Sequence, residues 1–204
     1  MITISRLYDS YAQASAAVAE LERAGLPHDD ISIIANNAEG WYRDERGRVD
    51  RDRDGVDDRA EGAAKGAGIG AAVGGVAGLL AGLGLLAIPG LGPVVAAGWL
   101  ASTAAVAAAG GTAGGLIGAL TQSGVSAEDA NVYAEGVRRG GTLVTARIPD
   151  GEQARYEAIL DRTAVDIRAR GRLYEESGWS RFDPNASTFS AEEVRREREL
   201  YRRP

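Results

Sequence analysis

Ile2 to Tyr8 is rich in β-branched and apolar residues and reads as a strand. Asp9 or Ser10 then supplies an N-cap for a helix through about Arg23, with Val18 and Leu21 facing inward and Gly25 ending it. Ile31 to Ala35 predicts a second strand. The connection is long enough for a crossover, so the two strands are expected to run parallel in one sheet. Residues 1–35 are thus the first half of an α/β domain. From Asn36 to Lys65 the pattern dissolves into mixed charge, with Trp41, Tyr42, Val49 and Val56 as the few large apolar residues, which predicts a solvated linker.

The pattern then inverts, and the fifty-five residues from Gly66 to Leu120 carry no charged side chain. Gly62, Gly66, Gly70, Gly74, Gly78 and Gly82 stand four apart, and Gly110, Gly114 and Gly118 repeat the spacing. Residues at i and i+4 share a helix face, so each row is a strip on which another backbone can approach closely. Ile88-Pro89-Gly90-Leu91-Gly92-Pro93 should break helix, leaving arms of about 22 and about 28 residues that fold as an antiparallel helical hairpin over residues 66–120. Three placements suit such a hairpin: across a membrane, packed against hairpins of other subunits, or buried within its own chain. The last asks a small sheet to cover arms about 33 to 42 Å long at 1.5 Å per residue.

Order returns at residues 121–175, the second half of the domain. Ser126 caps a helix with Asp129 completing a capping box, and Val132, Tyr133 and Val137 form its inner face up to Gly140-Gly141. Thr142 to Ile148 is a strand, Glu152 to about Thr163 a helix through Tyr156, Ile159 and Leu160, and Val165 to Arg170 a short charged strand suited to a sheet edge. The expected fold is α+β: a ferredoxin-like split sheet, β-α-β and then α-β-α-β, carrying the glycine-rich hairpin as an insertion. Residues 176–204 form a tail whose final charged helix, capped at Ser190, has few apolar anchors and is expected to dock on a neighbouring chain or stay mobile.

Chemistry is sparse. Cysteine is absent, which excludes disulfides, thiolate metal sites and cysteine nucleophiles. His28, the single histidine, sits in the turn-like Leu26-Pro27-His28-Asp29-Asp30 and is expected to be an exposed loop residue. Ser10 and Ser123 have no histidine base nearby in sequence, and Asp150, Glu152 and Glu157 read as helix-start and solvent charges. Gly68-Ile69-Gly70-Ala71-Ala72-Val73 begins a dinucleotide pattern but lacks the preceding strand and the third glycine. A net charge of −6, with no basic stripe interleaved with aromatics, argues against nucleic acid. No catalytic residue and no small-molecule substrate are assigned. The opening residues show no secretory pattern, so a cytoplasmic protein is the expectation.

One motif points to an ion. Asp50 to Glu61 satisfies D-x-D-x-D-G-x5-E, offering Asp50, Asp52, Asp54, Asp58 and Glu61 carboxylates and the Val56 carbonyl to calcium. Against it, Asp57 replaces the usual apolar residue, arginines alternate with the ligands, and no amphipathic helix precedes Asp50. Calcium binding by this loop and a solvated mixed-charge linker both remain open.

Leu7-Tyr8-Asp9, the helix ending Ala24-Gly25-Leu26, the strand Asp30-Ile31-Ser32-Ile33-Ile34-Ala35, the glycine-rich middle and Tyr133 through Thr145 together resemble bacterial general stress proteins with the heat-induced, YflT-type domain. The resemblance spans roughly residues 2–150 and implies a stress-associated role, an α/β fold with a glycine-rich insertion, and no catalytic residues to transfer. The expected function is non-enzymatic: a homo-oligomer built on, or a membrane association made by, the glycine-rich hairpin. The alternative is a calcium- or small-ligand-responsive module using the loop 50–61.

Overall fold

The β-branched opening forms β1 (Ile2–Tyr8), and the wholly buried run Ile31–Asn36 forms β2. Between them α1 (Tyr11–Arg23) starts where the Ser10 hydroxyl accepts from the Gln13 N–H at 3.3 Å, and it buries Ala14, Ala17, Val18 and Leu21. The computed structural model describes residues 1–42, 83–109 and 115–201. After the second of those starts come β3 (Gly84–Ile88), β4 (Gly92–Gly98), α2 (Trp99–Ala109), α3 (Gly115–Gln122), α4 (Ala127–Arg138), β5 (Thr142–Ile148), α5 (Gln153–Leu160), α6 (Ile167–Glu176) and α7 (Ala191–Tyr201).

The five strands make one sheet in the order β1-β5-β2-β4-β3, every neighbouring pair antiparallel. β1 and β2 do run in the same direction, but β5 lies between them, with Ile4 opposite Ala146 on one side and Ile33 opposite Val144 on the other. In the same way β2 separates β4 from β5, so two split β-α-β units interlock. Helices cover both faces. One core joins Leu7, Ile34 and Leu143 to Leu100, Leu116, Leu120 and Val137 from α2, α3 and α4. The other joins Ile4, Tyr8, Ile33 and Val144 to Val18, Leu21, Tyr156 and Leu160 from α1 and α5. Burial on both sides explains why β2 carries no polar alternation.

The α+β class and most elements stand as the sequence predicts them, and three do not. Residues 84–98, expected in the arms of a helical hairpin, are instead a β-hairpin, with Leu85 opposite Val95 and Ile88 opposite Gly92. The breaker is real, and Gly90 turns the chain at φ +77°. However, the β-branched Val94 and Val95 and the free edge of β2 favour a ladder, which Asn36 to Ser32 supply to Val94 through Gly98. Leu91, expected at the tip of the helical hairpin, is 1% exposed and lies in the core.

Val165 to Arg170, expected as an edge strand, becomes the start of α6. Asp166 is the reason: its Oδ1 accepts the N–H groups of Arg168 and Ala169, each at 3.0 Å, and fixes a helix start that turns Arg170 and Tyr174 inward. The sheet therefore lacks the final strand of the expected ferredoxin-like plan. Finally, α7 docks on its own chain. Val194 is fully buried and fills the space left by Gly140, where a Cβ would stand 2.6 Å from Val194 Cγ1. Around this single apolar anchor the contact is ionic: Arg139 bridges Glu135 at 2.6 Å and Glu197 at 3.0 Å, Arg170 stacks on Tyr201, and Arg198 reaches the Gly140 carbonyl and Glu39.

Candidate functional site

A groove runs along the free edge of β1. Its larger part, about 440 Å³, is floored by Ile2 to Arg6 and walled by Ser126, Asp129 and Tyr133 on one side and Gln153 and Glu157 on the other. It adjoins a smaller cavity of about 300 Å³ beside Arg6, Asp161 and Asp166. The walls follow from the two-faced sheet: α4 packs on one face and α5 on the other, and each overhangs the edge strand.

Arg6 and Tyr133 cross the groove floor. Arg6 Nε donates to Asp161 Oδ1 at 2.5 Å, NH1 donates to the Ser5 carbonyl at 2.9 Å, and NH2 lies 3.8 Å from Glu157. Burial disfavours the guanidinium charge, but the Asp161 bond together with the charges of Asp161, Tyr133 and Glu157 outweighs it and holds the arginine above its ordinary pKa. The Tyr133 hydroxyl donates to the Ser5 carbonyl at 2.7 Å, and burial pushes its pKa up to about 12 against the pull of Arg6. At the far end the Leu7 carbonyl accepts from the Val165 N–H at 2.8 Å. Asp129 accepts the Ser126 hydroxyl at 2.8 Å, and Asp166 caps α6. Arg6, Tyr133, Asp161 and Asp166 are therefore engaged in holding the fold. Lining carboxylates outnumber lining guanidiniums four to one: Asp129, Glu157, Asp161 and Asp166 against Arg6.

The described lining of the groove includes none of the residues that sequence spacing selects. Asp50, Asp52, Asp54, Val56, Asp58 and Glu61 lie outside the described residues, as do Gly62, Gly66, Gly70, Gly74, Gly78, Gly82, Gly110 and Gly114. Gly118 is described. It sits on α3, and no described residue lies within 4 Å of where a Cβ would stand. Among the described residues no group of three or more acidic or histidine side chains is arranged to hold a metal, and no helix is long and apolar enough to cross a membrane. Asp150 takes the Met1 amine at 2.9 Å, Glu152 pairs with Arg155 at 3.0 Å, and His28 lies 3.2 Å from Asp29. Ser10 caps α1, and Ser123 bonds carbonyls of its own helix end.

What sequence reasoning missed was Arg6 with its partners. The signal was present in the spacing of Glu157 and Asp161, four apart at the C-terminal end of α5, where Asp161 is the cap, opposite a lone arginine in an apolar strand. Comparison with known proteins adds no relative: no family model, curated protein or solved structure matches the chain.

Proposed function

We propose that this is a non-enzymatic bacterial stress-response protein of the cytoplasm that self-associates through its glycine-rich segment. The observation that carries the reading is Gly118: α3 is packed on its inner face by Leu116, Ala119 and Leu120, while at the glycine position no described residue stands within 4 Å of where a Cβ would be, room that an approaching helix can fill. The engagement of Arg6, Asp161 and Tyr133 of the β1 groove in structural bonds supports a binding protein over an enzyme. The stress role rests on the resemblance of the strand and helix segments around Leu7, Ile31 and Tyr133. The interlocked split β-α-β units are the part of a ferredoxin-like kinship that this reading retains.

Sedimentation of the full chain without detergent tests it. A multiple of the 21.3 kDa chain mass is expected, reduced toward one chain by Gly118→Leu or Gly74→Leu while circular dichroism stays native. A single-chain mass in detergent-free buffer overturns self-association, and protein recovered only with detergent favours membrane association instead.

A further inference from the structure

We propose that the open edge of β1 accepts an extended segment of a partner protein as a sixth strand, and that this segment carries two adjacent basic residues. In an extended strand the N–H and C=O of successive residues turn to opposite edges. The Ser5 and Leu7 carbonyls face away from β5, since Tyr133 and Val165 reach them from the groove side. The same edge therefore presents the N–H and C=O of Thr3 and the N–H of Ser5, which no described residue takes. An unpaired stretch at the bottom of a walled groove is the geometry of strand addition, in which backbone bonds supply affinity and side-chain pockets supply choice.

The walls set the choice. Asp129 stands on α4 and Glu157 on α5, helices on opposite faces of the sheet. Successive side chains of an added strand point to those opposite faces, so two consecutive residues meet one carboxylate each. Asp129 accepts a hydroxyl and has no described cation partner, and Glu157 accepts the Gln153 amide at 3.1 Å with Arg6 as its one described cation at 3.8 Å. Charge complementarity therefore selects a Lys-Arg or similar pair at the centre of the segment. Tyr133 and the Val165 contact close the edge beyond Ser5, which limits pairing to the first half of β1.

Fluorescence anisotropy of labelled Thr-Val-Thr-Lys-Arg-Thr-Val-Thr with the full chain tests the proposal on whatever oligomer the chain forms, so its outcome is separate from that of self-association. Saturable binding is expected, weakened about tenfold by Asp129→Asn with Glu157→Gln. Methylating the two central backbone nitrogens of the peptide keeps its charge and removes its strand donors, and should abolish binding to the unaltered protein. Thr3→Pro removes the outward N–H without touching the β5 ladder and should weaken binding similarly, with thermal unfolding checking that the variant is folded. Absence of saturable binding, or equal binding of the methylated peptide or of a Glu-Glu counterpart, overturns the proposal.

Discussion

Glu135 lies near the end of α4 with no exposed side-chain surface, held by Arg138 at 3.2 Å and Arg139 at 2.6 Å. A buried carboxylate between two guanidiniums leaves them uncompensated when it is removed, so Glu135→Ala should cost about 3 kcal/mol in urea unfolding and release α7 as well. Glu22 is the opposite case. Both its carboxylate oxygens are buried without a partner among the described residues, and burial raises its pKa, so the fold favours the protonated form. That preference is fully present below the unfolded value and is lost as pH rises through the raised one. Glu22→Gln should therefore raise the melting temperature at pH 7, and the gain should shrink as the medium is acidified. Tyr133 and Tyr174 repeat the argument at alkaline pH: burial pushes both from 10.0 to about 12. Above pH 10 only the unfolded chain ionises them, so stability should fall between pH 10 and about 12 by about 1.4 kcal/mol per unit for each tyrosine. Chemical unfolding across that range measures it. None of these burials was legible in the sequence, because a glutamate at position 22 or 135 looks like any solvated helix charge until another element covers it.

At the scale of elements, local signals were reliable where they agreed with burial. Ser10, Ser126 and the Gly140-Gly141 stop place α1 and α4 within a residue or so of where pattern reading puts them. They failed where tertiary pairing competed. The sequence pattern places Val94 and Val95 within a glycine-rich helix, yet the unpaired edge of β2 gives them a ladder. Asp166 was read inside a strand, although an aspartate before Ile167 is equally a helix cap. Position in the fold decided both. The ends of the undescribed stretch 43–82 also meet: the Tyr42 hydroxyl donates to the Leu83 carbonyl at 2.8 Å, and Trp41 stacks on Tyr11 at 4.6 Å. Replacing residues 43–82 by a short Gly-Ser linker should therefore leave a cooperatively folding domain within about 1 kcal/mol of the parent, since closing a loop depends only weakly on its length. Loss of cooperative unfolding in that variant would show that residues 43–82 belong to the core.

Across the whole molecule, the same two halves that the sequence separates are joined by one strand. β5 occupies the slot between β1 and β2, pairing with both along nearly their full lengths. During synthesis β1, α1 and β2 emerge first, but they do not touch edge to edge and have no ladder to form with one another. β4 can join β2 on its outer side, yet the gap beside β1 stays empty until Thr142–Ile148 leaves the ribosome. Sequence-distant pairing of this kind makes folding slow, because loop closure must precede any gain from contact. The nascent chain thus carries unpaired, apolar strand edges through most of its synthesis, and its exposure to aggregation is set by how late β5 arrives, not by the stability of the finished sheet.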